Sequence, residues 1–167
     1  MHELIILGFL QDGESNGYTL KQQVDKYLAG VYAVNYGSLY PKFKKLESLK
    51  CVVSRPVLSD GGQQKVYYEI TGSGKELFKE KMLEYPKEAF SSALARFKVK
   101  LLFFNYVDEK TCYDIVLKAT NLITKEYEYI ESYLKDNEAL DEYRSSLLKH
   151  NLALLKSDLA WLKSINY

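Results

Sequence analysis

The hydrophobic pattern changes period along the chain. Residues 3–10 (ELIILGFL) are almost wholly apolar, and a run that short fits a buried helix or a buried strand. The polar stretch Gln11 to Gly17 interrupts it. Beyond the break, Leu20, Val24 and Leu28 recur every four residues, with Lys21, Gln22 and Asp25 off that face. This predicts a second helix over Tyr18 to Leu28, capped by Asn16 or Ser15. A third helical stripe follows Gly30, carried by Leu39, Phe43, Leu46 and Leu49 at spacings of four, three and three. Pro41 falls near its beginning, where a missing N–H would have no partner within the helix.

The period then drops to two. Val66, Tyr68 and Ile70 alternate with Lys65, Tyr67 and Glu69, the signature of a half-buried strand. The turn-forming string Ser59-Asp60-Gly61-Gly62 separates this run from Val52 to Ser59, so the two runs predict a β-hairpin. Pro56 confines the first of them to an edge or a bulge. Thr71 is a good N-cap for a helix through Leu83, although Gly72 and Gly74 weaken its first turn, and Pro86 marks the end of a first module.

Only helices are predicted beyond that point. Leu94, Phe97, Leu101 and Phe104 make one stripe. After a break at Asn105 to Glu109, a longer helix carries Ile115, Ala119, Leu122, Ile130 and Tyr133. The last segment is the most regular. Leu148, Leu152, Leu155, Leu159 and Leu162 are spaced four, three, four and three, while Leu147, Leu154 and Trp161 recur every seven. That stripe is short for an independent coiled coil. It predicts a helix packed on other helices, from the same chain or a second copy. The expected division is residues 1–84 and residues 85–167.

Composition narrows the function classes. Hydrophobic residues make up 47% and charged residues 27% of 167 residues, as in an ordinary folded protein. No apolar run approaches the ~18–20 residues of a membrane span. The N-terminus lacks the basic region of a signal peptide, so a cytoplasmic protein with no membrane association is expected. Cys51 and Cys112 are too isolated for a disulfide framework or a metal site. His2, in what reads as a flexible terminus, and His150 have no neighbouring carboxylate or cysteine, and Gly61-Gly62 lies in no phosphate-binding motif. Asp136, Glu138, Asp141 and Glu142 read as a solvated linker. Neither an enzyme nor a cofactor is expected.

The net charge of +1 says nothing of a polyanionic partner, but charge is concentrated locally. Residues 36–65 hold Lys42, Lys44, Lys45, Lys50, Arg55 and Lys65 against Glu47 and Asp60. Helix, helix, basic helix, hairpin and helix is the order of a winged helix-turn-helix. In that architecture the third helix enters the major groove of double-stranded DNA. The fold class is therefore mainly α with a small β-hairpin wing, followed by an α-helical domain.

The strings Ile6-Leu7-Gly8-Phe9-Leu10, Asn16-Gly17-Tyr18-Thr19-Leu20, Tyr36-Gly37-Ser38-Leu39-Tyr40-Pro41 and Lys45-Leu46-Glu47 resemble the PadR family of bacterial transcriptional regulators. So does the wing Gln63 to Thr71 followed by Gly74. The stretch Leu152-Ala153 to Leu162 is similar to the long C-terminal domain of the larger subfamily. The resemblance implies DNA contacts from Tyr18 and Lys21 at the second helix. It implies further contacts from Tyr36, Ser38, Tyr40, Pro41, Lys42, Lys44 and Lys45 on the third helix, and from Gln63, Gln64 and Lys65 on the wing. It also implies a homodimer built on Leu148, Leu152, Leu155, Leu159 and Leu162, repression of a promoter, and release by a small aromatic or phenolic effector. Tyr106, Tyr113, Tyr127, Phe104 and Trp161 are aromatic candidates near such an effector, each equally well explained by packing, so no ligand site is assigned.

Two departures stand out. Asn16 replaces a common His, and Lys50 replaces a Gly after the third helix, which leaves a side chain where a left-handed residue is expected and predicts a different helix exit. A protein-interaction module and a ligand-independent regulator remain as alternatives.

Overall fold

The computed structural model describes residues 1–58, 64–137 and 139–166. Two compact units divide the chain: Met1–Lys87 with Lys98–Val107, and Glu88–Phe97 with Asp108–Tyr167. The expected boundary at 84/85 lies near the end of the segment Met1–Lys87.

In the first unit the apolar run is helix α1 (His2–Phe9). Leu4, Ile5, Ile6 and Leu7 are all buried, so the run is apolar on every face because every face is covered. Helix α2 (Gly17–Tyr27) begins at Asn16, whose Oδ1 accepts from the amides of Tyr18 and Thr19, both at 3.0 Å. The replacement at Asn16 therefore keeps a good N-cap. Helix α3 (Tyr36–Ser48) is capped by Asn35, whose Oδ1 accepts from the Ser38 amide at 2.8 Å. Pro41 is the sixth residue of α3, inside the helix rather than in its first turn. Its ring abuts the carbonyl of the residue four earlier, and that residue is Gly37, which has no side chain.

The exit of α3 also differs from expectation. Lys50 adopts φ 57°, while the Cys51 amide reaches the Leu46 carbonyl at 2.8 Å and the Lys50 amide reaches that of Glu47 at 2.9 Å. These two bonds define a Schellman motif with Lys50 in the left-handed position. The turn survives without its glycine because both bonds and the burial of Leu46 and Cys51 hold it.

Strands β1 (Ser15–Asn16), β2 (Val52–Leu58) and β3 (Gln64–Ile70) form an antiparallel sheet in the order β1-β3-β2. The pairs Val52↔Ile70 and Leu58↔Gln64 fix the hairpin register. Ser59 to Gly62, the expected turn, lies outside the described residues. Pro56 sits on the edge strand β2, where a lost ladder donor is tolerated. β1 pairs Ser15 with Tyr68 and Asn16 with Tyr67, a strand the polar break did not predict. Helix α4 (Gly72–Leu83) is capped by Thr71 Oγ1, which accepts from the Gly74 amide at 3.1 Å. A Cβ on Gly74 would lie 2.0 Å from the Cys51 carbonyl oxygen. Gly74 is therefore required by close backbone approach, whatever it costs the helix turn.

Helix α5 (Phe90–Leu101) ends before Phe104, which lies in a short 3₁₀ turn (Phe104–Tyr106). Residues 98–107 complete the first unit. The Phe103 ring packs edge-on to Phe9 and Phe78, with centroids at 5.2 and 6.0 Å. It also covers Gly8, where a Cβ would meet the ring at 2.5 Å. Buried Lys100 donates to the Glu84 carbonyl at 2.7 Å with its ammonium 3.7 Å from the Tyr85 ring centre, so the charge is solvated by the protein.

The second unit contains helices α6 (Glu109–Asp136) and α7 (Glu142–Lys163). Asp108 and Asp141 cap them, so Asp141 of the expected acidic linker is a structural cap. Glu138 lies outside the described residues. The buried face of α6 is Cys112, Ile115, Val116, Ala119, Ile123 and Ile130. Ile123 replaces the expected Leu122, and Tyr133 is exposed. On α7 the five-leucine stripe faces inward: Leu155 and Leu162 are 5% and 3% exposed, and Leu148, Leu152 and Leu159 are half-buried. The stripe is thus covered only in part within the chain. The open apolar positions of α7 are Leu147 and Leu154, 61% and 53% exposed. Trp161 packs edge-on to Phe97 at 5.8 Å. No helix among the described residues is long and apolar enough to cross a membrane.

Candidate nucleic-acid interface

Tyr36, Tyr40 and Lys44 follow one another at four-residue spacing and share one exposed side of α3. Ser38, Lys42 and Lys45, spaced four and three, share another. The core residues Leu39, Phe43 and Leu46 hold both in place.

The tyrosine side opens into a groove of about 610 Å3 between the start of α2, the first half of α3 and strand β3. Tyr18, Tyr36, Tyr40, Gln64 and Lys65, five of the sequence-derived contacts, line it together with Tyr67. Tyr18 and Tyr36 stack with centroids 6.4 Å apart and planes 11° apart. Gln22 Nε2 donates to the Tyr18 hydroxyl oxygen at 3.1 Å, which leaves the phenolic hydrogen available. Lys21 lies 5.8 Å from the Tyr36 ring centre and is paired with Asp25, which raises its pKa chiefly through that bond. Gln63 lies outside the described residues.

The other side of α3 faces α1. His2 is not in a flexible terminus: it is a half-buried residue of α1. Its Nε2 lies 3.1 Å from Ser38 Oγ and its Nδ1 3.1 Å from the Tyr32 hydroxyl. Ser38 Oγ donates to the Asn35 carbonyl at 2.8 Å, so it accepts from Nε2–H, and Tyr32 donates to Nδ1. A neutral ring, with Nε2 protonated and Nδ1 accepting, fits this pattern. The His2 pKa is accordingly pushed down, first by burial, then by the positive N-terminus and Lys42. The hydroxyl hydrogen of Ser38 is thus committed inside the protein.

Lys45 is committed too. Its ammonium donates to Glu3 Oε1 of α1 at 2.6 Å, and Lys81 of α4 lies 3.8 Å from the other Glu3 oxygen. Burial alone would raise the Glu3 pKa, but the Lys45 bond and the charges of Lys45, Lys81 and Lys42 hold it below the ordinary glutamate value. On the wing, Arg55 Nε donates to Glu14 Oε2 at 2.8 Å and Nη2 to Oε1, a bidentate pair. The same guanidinium lies 5.7 Å from the Tyr67 ring centre. Of the six basic residues at positions 36–65, Lys42, Lys44, Lys50 and Lys65 are the ones held in no ion pair among the described residues. Sequence spacing gave no signal for His2, Glu3 or Glu14, because their partners lie 36, 42 and 41 positions away.

Exposed tyrosine hydroxyls and amine donors flanking a helix are suited to phosphate oxygens, and Gln or Lys can also reach base edges. Among the described residues no cluster of His, Cys, Asp and Glu is arranged to hold a metal ion.

Residues 6–80 match the family model described as "Transcriptional regulator PadR-like family". The chain is 30% identical over 71 residues to "Negative transcriptional regulator PadR" of Bacillus subtilis (strain 168), a stretch covering 42% of this chain and 39% of that protein. Among solved structures, Bacillus subtilis PadR in complex with operator DNA is 20% identical with a TM-score of 0.49, covering 97% of this chain and 94% of that one. The same protein has been solved with p-coumaric acid, at a TM-score of 0.44 and the same identity and coverage. The protein smu.1604c from Streptococcus mutans UA159 is 25% identical with a TM-score of 0.47, covering 96% and 95%. The likeness to the PadR-like family of transcriptional regulators thus spans residues 6–80 of the chain.

Proposed function

We propose that the protein is a homodimeric repressor that binds a palindromic site on double-stranded DNA and leaves it when a small aromatic or phenolic effector binds. The observation that carries this reading is the groove in which the tyrosine side of α3 meets the start of α2 and the wing strand β3. In this reading α3 enters the major groove. Tyr18 meets a phosphate through its hydroxyl, since the α2 amides of Tyr18 and Thr19 are already used by Asn16. Tyr36, Tyr40 and Lys44 flank the base edges, while Gln64 and Lys65 bring the wing against the backbone. α3 contains no arginine, so bidentate guanine reading by arginine is absent from that helix.

Two copies related by a two-fold axis would place their recognition helices about 34 Å apart, one turn of DNA. Leu147 and Leu154, exposed and seven residues apart on α7, support contact with a second copy alongside the half-buried Leu148, Leu152 and Leu159 of the stripe. An effector acts only if it binds the DNA-competent and incompetent forms with different affinity; its chemical class rests on the family resemblance. The direct test is a gel shift against the promoter DNA upstream of the protein's own coding sequence, at two salt concentrations with competitor DNA. A discrete, salt-sensitive, sequence-selective shift is expected. Indifference to the competitor's sequence would count against an operator-reading regulator.

A further inference from the structure

We propose that Glu3 and Glu14 occupy interface cations in the manner of phosphates, and so restrain the sequence-independent part of DNA binding. This rests on the DNA-binding reading above and adds residues that contact no base.

Three cations of this surface are held by carboxylates. Glu3, on α1, takes the Lys45 ammonium of α3 at 2.6 Å. Glu14, just before β1, takes the Arg55 guanidinium of β2 through both of its oxygens. Asp25 takes Lys21 one turn away on α2. Two of these cations also lie over tyrosines that line the groove, Lys21 over Tyr36 and Arg55 over Tyr67. A carboxylate offers the same pair of oxygens that a phosphate offers an ammonium or a guanidinium. A phosphate must therefore displace it before gaining the cation, and every DNA sequence meets that barrier equally. Counterion release, the sequence-independent part of the affinity, falls by the share of each cation withheld. The contacts that remain come from the tyrosine side of α3 and the wing, which meet base edges as well as backbone. The pKa values agree: the Lys45 and Arg55 bonds pull Glu3 and Glu14 below the ordinary glutamate value.

The experiment uses the full chain and a duplex of scrambled sequence, titrated by fluorescence anisotropy over a series of KCl concentrations. Glu3→Gln and Glu14→Gln are each expected to bind the scrambled duplex several-fold more tightly. Each should also steepen the plot of log affinity against log salt by about 0.9 for every cation released onto DNA. Glu76→Gln, which breaks the α4 surface pair with Lys79, should change neither quantity. Because a variant can shift affinity through its fold, Lys45→Met supplies a second reading. Alone it should hardly alter the slope, and in the Glu3→Gln background it should abolish the gain. Slopes of both Gln variants that match the wild-type value, in a protein that binds the duplex, overturn the proposal while leaving the DNA-binding reading intact. Failure of the wild type and both variants to bind any duplex at low salt overturns both.

Discussion

The two units solve the problem of covering apolar surface in different ways. In the first, helix α1 is buried on all sides, and Leu20, Leu39 and Leu46 are each at most 1% exposed. The polar residues left at its surface are fixed by bonds between distant elements, as with His2 on Ser38, Glu3 on Lys45 and Glu14 on Arg55. In the second, α6 and α7 cover one leucine stripe in part and leave Leu147 and Leu154 open, together with Tyr113, Leu117 and Tyr143. The first unit too leaves apolar side chains exposed, among them Leu49, Val53, Leu58 and Leu83, but its core is closed by its own chain. The other retains an apolar surface of the kind that marks association.

The largest effect that sharpens this contrast comes from neighbouring leucines of α7. Leu155→Ala removes a buried side chain and should cost about 3 kcal/mol in urea unfolding. Leu154→Ala should cost under about 0.5 kcal/mol in the isolated fold, yet shift sedimentation of the wild-type assembly towards monomer. A full dimer from a Leu147→Lys, Leu154→Lys variant would break the assignment of that surface to association.

A smaller effect separates propensity from context in the first unit. A lysine in the left-handed region is strained by roughly 1 kcal/mol, part of which glycine returns through its greater freedom in the unfolded chain. Lys50→Gly should therefore stabilise the protein by about 0.5 kcal/mol in the same assay. A loss of stability would show that the Lys50 side chain contributes more than its backbone conformation costs.

The smallest effect is titrational. The Tyr106 hydroxyl donates to Asp12, and that bond, with lesser contributions from burial and the Asp12 charge, pushes its pKa up to about 12. A raised tyrosine pKa means that the folded state holds the proton more tightly. Its contribution to stability is present below the ordinary tyrosine value of 10 and is lost as pH rises through about 12. Phenolate absorbance should show a late-titrating tyrosine that disappears in Tyr106→Phe, beside Tyr68, whose pKa burial also pushes up. An unchanged titration curve would show that the Asp12 contact does not persist in solution.

Helices α2, α3 and α4 were legible because an amphipathic helix writes its period into the sequence, and because Asn16 and Thr71 are chemically suited to cap. The hairpin was legible for the same reason at period two. Strand β1 was not, since Ser15 and Asn16 are extended only because β3 lies beside them. Tyr18, Tyr36, Tyr40, Gln64 and Lys65 were legible as residues of one surface through the family strings that contain them. The inward turn of the five-leucine stripe was not, because a leucine repeat is the same whether the covering helix belongs to the same chain or another.

The sequence by itself determined where the amphipathic helices and the hairpin strands form, which of their faces are apolar, and that a basic helix precedes a wing. These depend on local propensity and spacing, which act over a few residues. Only the tertiary structure decided which charges are available. Lys44 and Lys45 are adjacent and alike in sequence, but one is exposed with no ion pair among the described residues and the other is held by Glu3. An ion pair depends on distance in space, and residues 42 positions apart acquire a distance only when the core brings α1 against α3.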